Sequence, residues 1–181
     1  MMHAEFPEMR SGRLLLRQFK DVDLENVFKG LSDPAVIQYY GVSYDSLEAT
    51  RTQMQFFCDL EKNGTGTWWA ICNHSNDIFY GATGLNSLSM QHKKAEIGFW
   101  LLPQFWGQGI ITEAVPLVCK HGFSHFGLHR IEALIETNNH NSKRVMTKLH
   151  FTHEGTMKEC EIKNGAFISL DIYAKLNNTQ Q

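Results

Sequence analysis

The 181 residues predict a mixed α/β domain, and three observations carry that prediction. Short β-rich runs recur along the chain, among them TWWAICN at 67–73 and RIEALIE at 130–136, rich in the branched and aromatic residues that suit a pleated, half-buried surface. Between the runs lie stretches whose apolar residues repeat every three or four positions, the spacing of one helical face. One strand, ended by Pro103, leads into a helix through QFWGQG at 104–109, where two glycines supply backbone freedom.

GRLLLRQF (12–19) mixes apolar and basic residues over strand length, and Val22, Leu24, Val27, Phe28 and Leu31 then repeat at helical spacings. A strand followed by a helix is predicted. DPAVIQYYGVSYDS (33–46) carries Pro34, Gly41 and three tyrosines, so it reads as a loop or broken helix. Tyr39, Tyr40 and Tyr44 are candidates for a pocket wall there, although ordinary packing explains them equally well. Ser46 is a natural N-cap for a second helix bearing Leu47, Met54, Phe57 and Leu60, which Gly64 closes.

The runs 67–73 and 78–88, separated by HSND, form an antiparallel hairpin, with Trp68 and Trp69 as packing residues. AEIGFWLL (95–102) is the next strand. Beyond the glycine loop, Ile111, Val115, Val118, Cys119, Gly122, Phe123 and Phe126 mark a helix packed on a sheet, kinked at Pro116. A strand at 130–136, a short helix at 141–150 and two strands within 151–159 and 166–176, around the turn KNGA, complete the order β-α-α-β-β-β-α-β-α-β-β. Residues 1–181 form a single domain on this reading, because one core commonly serves roughly 100 to 200 residues, and NNTQQ is a polar tail.

Composition narrows the function classes. The chain holds 17 basic and 19 acidic side chains for a net charge of −2, so no global attraction to nucleic acid or anionic membrane is expected and any anion site is local. Cys58, Cys72, Cys119 and Cys160 form no C-x-x-C pair, which argues against a disulfide framework or zinc cluster. The stretch MMHAEFPEMRSG lacks the apolar centre of a signal peptide, and no segment approaches the roughly 18 apolar residues of a membrane span. A cytoplasmic protein is expected. His121 and His125 have the spacing of paired helical metal ligands, but Gly122 stands where a catalytic glutamate would follow, so no metal is expected.

A glycine loop between strand and helix turns main-chain N–H groups toward an anion at the positive end of the helix. Two phosphate-binding patterns fail here. The dinucleotide fingerprint needs glycine where Thr112 stands, and the nucleotide-triphosphate loop needs lysine and then serine or threonine where Ile110 and Ile111 stand. A plain tight turn remains the alternative to an anion cradle.

AEIGFWLLPQFWGQGIITEA (95–114) resembles the acetyl-CoA-binding motif of the GNAT N-acetyltransferases, and LHRIEALIETNNHNSKRVMTKLHFTHEG (128–155) is similar to the second half of the same motif set. The resemblance runs from about Gly12 to Leu176, and the nearest subgroup is the RimJ/RimL-type ribosomal-protein N-acetyltransferases. It implies a mostly antiparallel central sheet flanked by helices, with a splayed strand pair holding the coenzyme, and acetyl-CoA as cosubstrate. The amides of Gln104, Phe105, Trp106, Gly107, Gln108 and Gly109 would hold the pyrophosphate, with Ile110 and Ile111 opening the helix. Phe99, Trp100, Leu101 and Leu102 would pair with the pantetheine arm, and a backbone N–H there would stabilise the thioester oxyanion.

Amide formation from an ammonium also needs a proton acceptor, and the departing thiolate benefits from a donor. By resemblance Glu161 is the base and Ser142 the acid, while Asn139 would contact the pantetheine or the thiolate end. Each has a simpler reading: Asn139 and Ser142 as helix caps, and Glu161 as an exposed strand carboxylate. The family's usual LGF reads LHF here, with His150 in place of glycine at the start of a strand.

The expected activity is acetyl transfer to a primary amine, such as a protein N-terminal α-amine, by direct attack in a ternary complex. A small-molecule acceptor (polyamine, amino sugar or antibiotic) is a second reading, and a catalytically silent acyl-CoA-binding module a third. The oligomeric state is not fixed by the sequence, which leaves a homodimer open.

Overall fold

A computed structural model describes residues 5–178; residues 1–4 and 179–181, which include the first residues read for a leader and the end of the polar tail, lie outside the described residues. β1 (Met9–Arg10) and β2 (Leu14–Arg17) precede α1 (Leu24–Ser32), α2 (Pro34–Ile37) and α3 (Leu47–Asn63). β3 (Thr67–Asn73), β4 (Phe79–Ser89), β5 (Lys94–Leu101), α4 (Ile110–Ser124), β6 (Arg130–Glu136), α5 (His140–Lys148), β7 (Thr152–Lys163) and β8 (Ala166–Leu176) follow. The predicted order holds, with β1 and α2 added. At two and four residues, they are too short to show a period in the sequence.

The strands form one sheet in the order β1-β2-β3-β4-β5-β6-β8-β7. Every neighbouring pair is antiparallel except β5 and β6. Helices cover both faces over β2 to β5, so strand residues alternate between two cores. Leu14, Leu16, Trp69, Ile71, Ala95 and Ile97 pack with α4 and α5. Leu15, Trp68, Ala70, Ala82 and Trp100 pack with α1 and α3. Trp68 and Trp69 are both buried, one in each core, as packing residues. Burying side chains of this size contributes about 2–3 kcal/mol each.

Local chemistry sets the element ends. Ser46 caps α3 by accepting from the N–H of Ala49, and Gly64 closes that helix in the left-handed conformation, both as predicted. Asp33 caps α2, where Pro34 occupies the first turn. The buried Arg17 donates two 2.8 Å bonds to the buried Asp23, tying β2 to the start of α1. α4 continues across Pro116, which removes only the bond to the carbonyl of Thr112.

His150 has φ of 61°, the left-handed region. It ends α5 in a Schellman motif: the N–H of Phe151 bonds the carbonyl of Met146, and that of His150 the carbonyl of Thr147. This backbone requirement explains why glycine is the usual residue at the position. Replacing His150 with glycine is expected to stabilise the fold by about 1 kcal/mol, read as a raised midpoint in thermal or urea denaturation, with unchanged secondary structure.

Candidate functional site

β5 and β6 pair over only three residues, Lys94 with Arg130, Ala95 with Ile131 and Glu96 with Glu132. Beyond Glu96 they part. On its other side β5 stays paired with β4 as far as Leu101, and the N–H of Leu102 bonds the carbonyl of Tyr80. Main-chain groups alternate in direction along an antiparallel strand. The even-numbered residues therefore bond toward β4; on the other edge the parallel pair of Glu96 with Glu132 still takes up the N–H of Ile97, and the N–H and C=O of Phe99 face the gap. Trp106 spans its end, the indole N–H donating to the carbonyl of Leu101 at 2.9 Å.

The glycine loop lies at the mouth of this gap. Gly107 and Gly109 have φ of 73° and 74°, a conformation that a side chain strains. Arg13 braces the loop from β2's approach, donating to the carbonyl of Gln108 at 2.7 Å while pairing with Glu113 of α4. The first bond of α4 runs from the N–H of Glu113 to the carbonyl of Gly109, so the N–H groups of Ile110 and Ile111 have no partner within the helix. These donors stand at the start of α4, where its dipole also favours an anion.

A cavity of about 640 Å³ joins loop and gap. Its wall includes Phe99, Trp100, Leu101, Phe105, Trp106, Gly107, Gly109, Ile110, Ile111, Asn139 and Ser142, and it extends to Val36, Gln38, Tyr39 and Tyr40 after α2. The sequence-predicted coenzyme residues therefore converge, with three exceptions. Leu102 turns into the core shared with α1 and α3, while Gln104 and Gln108 stay off the wall, the Gln108 amide closing on the carbonyl of Gln104 at 3.0 Å. Of the tyrosines, Tyr39 and Tyr40 line the cavity, whereas Tyr44 bonds Gln53 at 3.0 Å.

Asn139 and Ser142 divide the roles that the sequence left ambiguous. Asn139 is the cap of α5, its Oδ1 accepting from the N–H of Ser142 at 3.1 Å. The Ser142 hydroxyl is consequently free of capping and stands on the cavity wall. The neighbouring Lys143 donates to the carbonyl of Thr137 at 2.9 Å and pairs with Asp171 of β8 at 2.7 Å. Burial by itself would raise the Asp171 pKa, but Lys143, Thr156 and His153 outweigh it and hold the carboxyl at about 2. This buried carboxylate fixes the first turn of α5, and with it Ser142, against the sheet.

The opposite face of β5, β6, β8 and β7 carries carboxylates. Glu132 is paired with Lys94 and Arg130, and Glu136 with Lys163. Lys163 also donates to the carbonyl of Gln38, drawing the β7–β8 hairpin toward the α2 side of the cavity. Glu161, opposite Ile168 of β8, is exposed and enters no ion pair among the described residues. Glu96 is half-buried, and its pKa is raised, first by burial and then by the charges of Glu132 and Glu161, against the opposing effect of Lys94. Glu96 carried no mark in the sequence beyond its place in a strand; the end of strand pairing next to it is what makes it noticeable.

His121 and His125 stack with ring centroids 4.6 Å apart beside Trp69 and Phe126. Among the described residues no three potential metal ligands gather. No helix there is long and apolar enough to cross a membrane, and the four cysteines are unpaired.

Residues 13–152 match the family model described as acetyltransferase (GNAT) domain. An uncharacterized N-acetyltransferase of Bacillus subtilis, YoaA, is 33% identical over 170 residues, covering 93% of this chain and 96% of the relative. The ribosomal-protein-serine acetyltransferase of Escherichia coli is 30% identical over 135 residues, 75% of this chain and 74% of that one. Among solved structures, RimL, a ribosomal L7/L12 alpha-N-protein acetyltransferase in complex with coenzyme A, superposes with a TM-score of 0.84 at 26% identity, covering 94% of this chain and 98% of that one.

Two substitutions test the site's scaffolding. Gly109→Asp, which strains the backbone and places a charge among the amides, is expected to weaken acetyl-CoA binding at least about tenfold by calorimetry. Asp171→Asn is expected to cost roughly 3 kcal/mol of stability near neutral pH. The folded-state pKa of Asp171 is depressed, so its contribution is present above its ordinary value of 3.8 and lost as pH falls through about 2. The melting temperatures of wild type and Asp171→Asn should therefore converge over that acid range.

Proposed function

The chain belongs to the GNAT family of N-acetyltransferases and uses acetyl-CoA, and from that membership we propose that its acceptor is the N-terminal α-amine of a protein, as described for the ribosomal-protein enzymes it is similar to. One observation supports the chemistry most: a strand edge with free main-chain groups at Phe99 runs toward the glycine loop and the unpaired first amides of α4. An extended pantetheine arm completes the strand edge, and the pyrophosphate takes the amides of the loop, with Arg144 and Lys148 on the same wall adding positive charge. Free N–H groups on β5 are suited to the oxyanion formed when the amine attacks the thioester.

On this reading the coenzyme enters from the α4–α5 face and the amine from the carboxylate-bearing face. Glu161 is proposed to draw and deprotonate the ammonium, directly or through water, together with Glu96, whose half-buried carboxylate has its pKa raised by burial. The Ser142 hydroxyl is proposed to protonate the departing thiolate, and Asn139, with its Oδ1 committed to the cap, retains an amide N–H₂ for the pantetheine. The attack is direct, so no covalent enzyme intermediate is needed.

The experiment for this function is acetyl-CoA-dependent thiol release with peptides, polyamines and amino sugars as acceptors. Turnover of peptides alone agrees with the reading, turnover of a small amine alone replaces it, and coenzyme binding without turnover makes the protein a binding module. Ser142→Ala is expected to lower kcat by about 10²-fold with the acetyl-CoA affinity kept.

The carboxylate pair has a pH signature. Glu96 accepts a proton only when ionised, so kcat/KM should rise with pH through its elevated pKa. Removing the negative charge of Glu161 lowers that pKa. Glu161→Gln should therefore move the acid limb to lower pH as well as reduce the rate, and Glu96→Gln should abolish the limb, both read from pH–rate profiles.

A further inference from the structure

The connection between α2 and α3, residues 38–46, forms no helix or strand, yet it supplies Gln38, Tyr39 and Tyr40 to the cavity wall. A segment without a ladder of main-chain bonds takes its position from the few contacts it makes. Its far half is held to α1 and α3, where the N–H of Tyr44 bonds the carbonyl of Leu31 and the Tyr44 hydroxyl bonds Gln53, each at 3.0 Å. Its near half is different. The N–H of Tyr40 bonds only the carbonyl of Ile37, at 3.1 Å, which shapes the turn without tying it to the sheet. Among the described residues, the polar tie from Gln38 and Tyr39 to another element is Lys163.

Lys163 stands at the end of β7, where three parts of the fold meet. Its ammonium donates to the carbonyl of Gln38, lies 5.9 Å from the centre of the Tyr39 ring and pairs with Glu136 at the end of β6. The Lys163 and Glu136 side chains are only 22% and 16% exposed, so water screens the pair weakly. Glu136 is itself fixed, because its strand pairs with β8 as far as Leu170. An ammonium carries three donors, so the carboxylate can orient it while another N–H serves the carbonyl and the ring face takes its charge. Lys163 also lies two residues from Glu161 on the same face of β7, the carboxylate-bearing side. Neither Lys163 nor Glu136 lines the cavity, whereas Gln38 and Tyr39 do.

We infer that Lys163 is a positioning residue for the acceptor: anchored by Glu136, it holds Gln38 and Tyr39 in place at the acceptor's end of the cavity and so sets acceptor affinity through them. The inference rests on the N-acetyltransfer reading of this same cavity. The partners of the ammonium are Glu136, Gln38 and Tyr39, none of them assigned to the coenzyme. Loss of the ammonium therefore separates the two substrates, loosening the wall for one and leaving the site of the other intact.

The test compares wild type, Lys163→Met, Glu136→Gln and the double variant, with a short peptide bearing a free N-terminus, spermidine and glucosamine as acceptors. Methionine keeps an unbranched apolar stem and removes the charge. For the acceptor that wild type turns over, Lys163→Met is expected to raise KM about tenfold, with kcat within about threefold and acetyl-CoA affinity by calorimetry within about twofold. Glu136→Gln should move KM in the same direction, and the double variant should be no worse than Lys163→Met, since both changes break one device. Limited chymotrypsin digestion gives a readout independent of turnover. Cleavage after Tyr39 and Tyr40 should quicken in Lys163→Met at a temperature where circular dichroism shows the fold unchanged.

An unchanged acceptor KM overturns the inference, as does a rise in KM matched by an equal loss of acetyl-CoA affinity, which would mark a general loss of structure. Effects of the two single changes that multiply in the double variant overturn the shared device, and an unchanged rate of cleavage at Tyr39 and Tyr40 overturns the tie itself. Wild type that binds acetyl-CoA and acetylates none of the three acceptors overturns the transferase reading and the acceptor role of Lys163 with it, while the digestion separately decides whether Lys163 holds the connection.

Discussion

Beyond Glu96 the fifth strand has a partner on one side only, and the site is organised around that unsatisfied edge. A buried main-chain N–H or C=O without a partner is costly, so a half-paired central strand is stable only if something occupies the gap or water reaches it. On its other edge β6 stays paired along its whole length with β8, from Arg130 opposite Leu176 to Glu136 opposite Leu170, while only its first three residues pair with β5. The parallel contact therefore acts as a hinge point between two antiparallel halves of the sheet. The cavity follows from the divergence, and the glycine loop is carried to its mouth because β5 ends there.

The two faces of this opening differ in chemistry. Toward α4 and α5 the wall presents main-chain donors and the Ser142 hydroxyl, held in place by the Asn139 cap and by Lys143 on the buried Asp171. The other face presents carboxylates, of which Glu132 and Glu136 are neutralised by neighbouring cations while Glu96 and Glu161 are not. On the proposed reading, an anionic coenzyme and a cationic amine are sorted to opposite sides before either reaches the reacting carbon. Between the faces Trp100 is buried, with its benzo edge against Gly30 of α1.

Much of this was legible in the chain. Strands at 67–73, 95–101 and 130–136 show themselves by alternation and composition, and Ser46 and Gly64 mark the ends of α3 by capping chemistry that acts within a few residues. The glycine loop was readable for the same reason: Gly107 and Gly109 are required by local backbone conformation. His150 shows the limit, since its left-handed backbone belongs to a helix terminus that the side chain alone does not announce. The predicted overlap of roles between Asn139 and Ser142 could not be resolved from spacing, because both residues cap helices well and only the orientation of one amide oxygen separates them.

The sequence by itself determined the order of the longer elements, the place of the glycine loop and the family, all of which depend on residues near one another in the chain or on ordered motifs along it. Tertiary structure alone decided which residues share the site. Arg13 reaches Gln108 across 95 positions, and Lys163 reaches Gln38 across 125. Glu96 has its raised pKa because burial disfavours its charge, Glu132 of the neighbouring strand adds to that, and a distant hairpin brings Glu161 within electrostatic range. Burial, the field of other charges and the absence of a hydrogen-bond partner are properties of a place in three dimensions, and no pattern of neighbours in sequence encodes them.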